Sequence, residues 1–209
     1  MQNRTSNERA VSPVVGVMLM LVVTIIIAAV VSAFAGGLGG TKEKAPSASI
    51  DVQIQTGADD GMGGTTDKMT FTELSGDPLP TKDLAIVTYY TNKTGTVYKN
   101  KQTMSSAGSD LYGYGTLTRV PFINDPTLGY SGDNPAKDFG NFTWKTGGIL
   151  STGNTAGTAD LLAINDTASG TYISHGIRDP DFGSGSVVDV KILHIPSGQY
   201  IFDKEVVVQ

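Results

Sequence analysis

Few side chains in this sequence are of the types that do chemistry, and their spacing limits what they could do. His175 and His194 are the only two histidines in 209 residues. His175 lies in a Ser-His-Gly stretch beside Ser174. Adjacent residues do not make a nucleophile–base pair, and no Gly-x-Ser-x-Gly elbow occurs. His194 falls on an alternating apolar segment near the C-terminus, where a structural role is expected. Asp59, Asp60 and Asp67 surround a Gly-rich loop and could ligate Ca²⁺, but their spacing is not that of an EF-hand loop. Asp179 and Asp181 flank Pro180 and read the same way, as solvated loop carboxylates. There are no cysteines, which excludes disulfides, thiolate metal sites, a cysteine nucleophile and a lipidated cysteine. The expectation is a chain with no catalytic residue, no metal and no cofactor, and so not an enzyme.

Other residues point to modification and recognition. Asn92-Lys93-Thr94, Asn141-Phe142-Thr143 and Asn165-Asp166-Thr167 fit the N-glycosylation pattern, making Asn92, Asn141 and Asn165 candidate acceptors. Asn3-Arg4-Thr5 fits it too, in the N-terminal leader. Tyr89, Tyr90, Tyr98, Tyr112 and Tyr114 could form an adhesive face, since Tyr suits recognition surfaces. Duty in a core or in strand pairs is the competing explanation.

The elements that would carry these residues are short. Glycine numbers 26, and Glu, Gln and Arg are scarce after residue 45, which favours strands and turns over long helices. A net charge of -5 without a basic stripe gives no electrostatic footprint for nucleic acid. From Ser47 the apolar period is two: Ile50, Val52 and Ile54 alternate with Asp51, Gln53 and Gln55. Lys68 to Leu74 and Leu84 to Thr91 read as further strands. Val97, Leu117 to Phe122, Phe139 to Trp144 and Leu161 to Ile164 mark weaker segments. Val187 to Ile195 and Gln199 to Val208 form a hairpin through Pro196-Ser197-Gly198. The expected domain, residues 47–209, is an all-β, immunoglobulin-like sandwich. With the helix that precedes it, the fold class is α+β.

That helix is the most distinctive segment. No charged residue lies between Arg9 and Lys42, and the 21 residues from Val14 to Phe34 are almost wholly apolar. As a helix they would span about 30 Å, the thickness of a bilayer core. Pro13 lies near the first turn, where its missing N–H does little harm. Small residues recur every four positions in the second half: Ala28, Ser32 and Gly36 in one row, Ala29, Ala33 and Gly37 in the next. Such rows let helix backbones approach closely. Gly36-Gly37-Leu38-Gly39-Gly40 ends the helix and, with Thr41 to Pro46, reads as a hinge and linker over 38–46. Three readings compete for the helix. They are a secretory signal, a single-span anchor, and a signal cut on the near side of the apolar run so that the helix stays with the mature chain.

The junction residues favour the third. Glu8-Arg9-Ala10-Val11-Ser12-Pro13-Val14-Val15-Gly16-Val17 resembles the class III signal of archaeal type IV pilins. The resemblance implies a leader over 1–10, cut between Ala10 and Val11 by a membrane-embedded prepilin peptidase. Arg9 and Ala10 stand at the family's charged and small positions, and residues 11–37 form the retained helix. Val15 stands where bacterial type IV pilins usually carry glutamate, which places the likeness on the archaeal branch. Phe71 to Pro80 and Val188 to Asp203 resemble the family's hairpins more loosely. The resemblance further implies a homopolymeric extracellular filament for surface attachment or cell–cell contact. It implies passage through the membrane with the β-domain outside, a pilus assembly ATPase and a membrane platform protein. The alternatives are a single-span surface binding protein or minor pilin, and an anchored enzyme.

Overall fold

The period-two pattern that begins near Ser47 becomes strand β1 in a computed structural model that describes residues 13–37, 43–60, 63–165 and 176–209. The chain divides into two compact units, Met1–Lys42 and Glu43–Gln209. The first contains helix α1 (Pro13–Gly37). The second contains β1 (Ala48–Asp59), β2 (Thr65–Gly76), β3 (Leu79–Pro80), β4 (Leu84–Thr91), β5 (Val97–Gln102), β6 (Ser109–Asp110), β7 (Leu117–Thr118), β8 (Phe122–Ile123), β9 (Thr143–Trp144), β10 (Ile149–Ser151), α2 (Thr155–Leu162), β11 (Val187–His194) and β12 (Gln199–Val207).

The strands form two four-stranded antiparallel sheets, ordered β1-β2-β10-β8 and β12-β11-β4-β5, with two small pairs, β3-β9 and β6-β7. The layout is sandwich-like. Alternation decides which side of each strand faces the core. In β11, Val188, Val190 and Ile192 are fully buried, while Asp189 and Lys191 point outward. Lys191 there lies 3.1 Å from Asp189 and 2.7 Å from Asp203. Sheet one contributes Ile54, Met69, Phe71 and Leu150 to the same core, joined by Leu79, Phe139 and Trp144. The chain end stitches the sheets together. Val208 bridges to Ile54, the Thr56 N–H donates to the Gln209 carbonyl at 2.9 Å, and the Gln209 N–H donates to the Ile54 carbonyl at 2.9 Å.

One segment differs from the sequence reading. Leu161 to Ile164, expected as extended, includes the end of helix α2. In its first turn Thr155, Gly157 and Thr158 are poor helix formers in water, so propensity alone does not make this helix. Tertiary hydrogen bonds do. The Asn154 side chain accepts from the Gly157 N–H at 3.0 Å as the N-cap, and its Nδ2 donates to the Leu111 carbonyl at 2.7 Å. Thr158 Oγ1 donates to the Asp67 carbonyl, and Thr88 Oγ1 donates to the Leu161 carbonyl. A side chain at Gly157 would run into the Thr152 carbonyl, so the close approach of helix and strand requires glycine.

The stretch from Phe71 to Pro80 has two constraints. Gly76 adopts φ +139, and a Cβ there would sit 2.5 Å from the Ala48 Cα. The next residue, Asp77, donates its N–H to the Ser47 carbonyl at 2.8 Å and accepts the Ser47 N–H on its carboxylate at 3.0 Å. Together they pin the point where the chain enters the β-domain. The second constraint is Glu73, which lies on the inward face of β2 in phase with Met69 and Phe71. It is fully buried, and neither carboxylate oxygen has a hydrogen-bond partner. Desolvation, and then the charge of Asp77, push its pKa above the ordinary carboxylate value. A carboxyl raised in the folded state stabilises fully below its unfolded pKa, and that stability falls as pH rises toward the folded value. Glu73→Gln is therefore expected to raise the thermal midpoint of the β-domain at pH 7 by about 2–4 °C, about 1 kcal/mol. The difference should close below about pH 4.5, where the carboxyl is neutral in both states. Calorimetric scans from pH 3 to 8 check it; parallel curves for the two proteins would contradict it.

Candidate functional site

Helix α1 contains neither an acidic first turn nor a basic last turn, and it has no charged residue along its length. At 25 residues it is about 37 Å long. Val and Ile dominate it, and β-branched residues are mediocre helix formers in water. In an apolar medium the balance reverses, because the helix is what satisfies every backbone N–H and C=O internally. Every large apolar side chain from Val14 to Phe34 is 45–71% exposed within this single chain. A helix that packs on its own protein keeps one polar face, whereas one apolar all round has to be covered by lipid or by other helices. The two hydroxyl residues are Thr24 and Ser32. Thr24 Oγ1 donates to the Leu21 carbonyl at 2.9 Å, so this hydroxyl needs no outside partner.

The small-residue rows lie where the spacing placed them. Ala28, Ser32 and Gly36 share one helical row, and Ala29, Ala33 and Gly37 the next. Ala28, Ala29, Ser32 and Ala33 are exposed. Arg9, Ala10 and Val11, the expected cleavage site, lie outside the described residues, as do His175 and most of the segment expected as a hinge.

In the β-domain each sequon asparagine already has a local bond. Asn92 is half-buried. Its Nδ2 donates to Asp179 at 2.8 Å, and its Oδ1 accepts from the backbone N–H groups of Thr94 and Thr96, closing the β4–β5 turn. Asn165 is half-buried and donates to Asp160 at 2.7 Å, while Asp166 and Thr167 of its sequon are outside the described residues. Asn141 is the exposed one, donating to the Pro135 carbonyl at 2.7 Å. Of the loop carboxylates, Asp67 accepts the Gly57 N–H at 3.0 Å and Asp60 accepts the Gly64 N–H at 2.9 Å. Asp179 caps the Asp181 N–H at 2.9 Å. Among the described residues no three His, Asp or Glu side chains converge in a metal-binding group. His194 is buried with its Nδ1 2.9 Å from Ser197 Oγ, tying the last hairpin.

The tyrosines divide. Tyr90 stacks on Tyr98 at 5.9 Å and meets Phe182 edge-on at 5.4 Å, which is core duty. Tyr89 lies under the Lys99 ammonium. Tyr112 and Tyr114 stand exposed on a loop that sequence periodicity could not show. Its organiser is Asp110, a buried carboxylate that accepts the backbone N–H groups of Tyr112, Gly113, Tyr114 and Gly115 at 2.7–3.3 Å. Desolvation pushes the Asp110 pKa up, but the four N–H donors more than offset it and leave the pKa below the ordinary value. A second buried charge, Lys137, donates to the carbonyls of Asp125 and Gly129 at 3.2 and 2.6 Å. The one signal in the sequence was Gly113 and Gly115 alternating with tyrosines shortly after Asp110.

Against known proteins, the family model described as archaeal type IV pilin, N-terminal, matches residues 9–50. That interval includes the whole of α1 and the start of β1. An uncharacterized protein of Archaeoglobus fulgidus is 35% identical over 79 residues, which is 38% of this chain and 51% of that protein. The aligned part thus spans about half the length of that relative. The charge-free helix, uncovered on every side, is therefore the part of the molecule that the family match includes. Over residues 9–50 the chain is similar to the N-terminal segment of archaeal type IV pilins.

Proposed function

We propose that the chain is a structural subunit of an archaeal type IV pilus-like extracellular filament, serving surface attachment or cell–cell contact. The observation that carries this reading is α1. It is long enough to cross a bilayer and apolar on every side, and it belongs to the segment that matches the pilin family. The precursor waits in the membrane with its β-domain outside. A prepilin peptidase cuts between Ala10 and Val11 and removes residues 1–10. An assembly ATPase and a membrane platform protein then extract the helix into a bundle of identical helices. Lipid and a helix bundle are both apolar, so the exchange between them is decided by packing, and small residues favour the bundle. Ala28, Ser32 and Gly36, with Ala29, Ala33 and Gly37, supply the close approach. Residues 38–46 act as the joint, and residues 47–209 coat the outside. Asn141, exposed in the folded domain, is the best placed of Asn92, Asn141 and Asn165 to carry a glycan.

Two outcomes are expected. N-terminal sequencing of purified filaments should return Val11 as the first residue; a chain starting at Met1, or beyond Phe34, would sink the proposal. Purification that yields only detergent-extracted monomer, with no filaments, would favour a permanently anchored surface protein instead. In the second test, Ala29→Leu with Ala33→Leu keeps the helix apolar but fills one small-residue row. Membrane insertion should be unchanged and filament yield should drop by about tenfold, a loss of about 1.4 kcal/mol of packing per subunit. Equal filament yield by electron microscopy would show that these residues do not face a neighbouring helix.

A further inference from the structure

Of the buried charged residues, Asp110 and Lys137 both serve to hold loops. Burying a charge is costly unless its hydrogen bonds are made, and here they are made entirely to loop backbone. Asp110 fixes the loop that carries Tyr112 and Tyr114, the latter 84% exposed. Lys137 fixes the turn from Asp125 to Gly129, which leads into Tyr130, 81% exposed. Asp125 and Asn134 add caps at Thr127 and Ala136, and Asn134 Nδ2 holds the Leu128 carbonyl. Gly132 fits against Thr116 with room for no side chain. The Tyr112 hydroxyl, 3.3 Å from Ser131 Oγ, links the two loops. The result is a pair of rigid loops whose most prominent side chains are aromatic rings.

Between them lies an open cleft of about 540 Å³, bordered by Tyr112, Tyr130, Asn124, Ser131 and Ser151. That volume lies within the usual range of small-ligand sites. Its lining also specifies a ligand class. Aromatic faces are electron-rich and attract the slightly positive C–H faces of a pyranose ring. Amide and hydroxyl groups beside them match a ligand rich in hydroxyls. Lys68 and Lys137 are set against Asp59 and Asp60 on the same rim, so neither sign of charge dominates. Tyr is rigid and loses little entropy on contact, and the loops are already fixed, so binding costs little reorganisation.

We propose that the cleft between the Asp110-held and Lys137-held loops is a binding site for neutral carbohydrate, with Tyr112 and Tyr130 as stacking platforms. The site extends the surface-attachment role proposed above and rests on it for its biological use. The test uses unassembled full-length protein in detergent micelles, so its outcome is independent of filament formation. The probes are an array of neutral hexose, N-acetylhexosamine and uronate oligosaccharides, followed by calorimetric titration of the best binder. Saturable binding to a neutral oligosaccharide is expected, weakened about tenfold by Tyr130→Ala and within about threefold of wild type for Tyr130→Phe, which keeps the ring. Lys204→Ala, on strand β12, should bind as wild type. No saturable binding to any neutral sugar would overturn the proposal, as would equal affinity of Tyr130→Ala and wild type. Salt-sensitive binding restricted to uronates would overturn it in favour of a charge-based site. If Tyr130→Ala spares sugar binding but abolishes filaments, the rings belong to a contact between subunits and the carbohydrate site is wrong.

Discussion

The uncovered helix is the constraint on which the rest of the molecule depends. Helix α1 has no polar face to turn toward water, because the residues from Val14 to Phe34 are almost wholly apolar and none is charged. At about 25 cal/mol per Å² of apolar surface, leaving such a helix in water costs far more than the net stability of an ordinary domain. The protein therefore has two states open to it: helix in lipid, or helix among other helices. Both satisfy the apolar surface equally, so the choice between them turns on side-chain shape. The alternation of bulky residues before Ile27 with Ala, Ser and Gly after it becomes meaningful on that ground.

A β-domain without cysteines has to take its stability from packing and hydrogen bonds. The domain meets this by closing on itself. The C-terminal residues Val208 and Gln209 reach back to Ile54 and Thr56, so one end of sheet two is joined to sheet one rather than left open. Gly76 and Asp77 do the same for the point of entry, fastening Ser47. Both chain ends of the domain are thus held by backbone bonds, the places where small domains otherwise fray. The remaining weak point is Glu73. It contributes a buried carboxyl with no partner, a cost the core carries without visible return.

Sequence reasoning read what is periodic and missed what is not. The strands at Ile50–Gln55, Leu84–Thr91, Val187–Ile195 and Gln199–Val208 alternate because one face is buried, and the structure has strands at all four. Helix α2 has no amphipathic pattern to read, since six of its eight residues are buried and its caps come from Asn154 and from strands far away in sequence. Residues 103–153 are harder still. Their order comes from single side chains that grip distant backbone, such as Arg119 on the carbonyls of Ser106 and Phe139, or Thr81 on that of Phe142. Such grips have no period, so a Tyr-rich stretch could be noticed without its loop being drawn. Asn92 shows the opposite limit. Its sequon was legible, but Asn and Thr two apart also make a turn-closing pair, and the structure uses them so.

In a filament of the kind proposed, β-domains held at high local concentration would be exposed to edge-to-edge strand pairing. Outer strands β1 and β12 are linked where Val208 and Gln209 join Ile54 and Thr56, and the opposite outer strands are handled differently. In sheet one the outer strand β8 is two residues long, too short to template a neighbour. In sheet two the outer strand β5 is six residues, long enough to do so, and it carries exposed Lys99 and Lys101 on one side. Two identical edges meeting there would bring like charges together, which disfavours pairing more strongly than it disturbs the isolated domain. The same lysines leave Tyr89 covered by Lys99, so an aromatic ring on that face is withdrawn from contact. The exposed tyrosines stand elsewhere, on the Asp110 and Lys137 loops, outside both sheets. The exposed tyrosines and the sheet edges are thereby kept apart, so a ligand of the kind proposed could meet the rings without the strands being offered to one another.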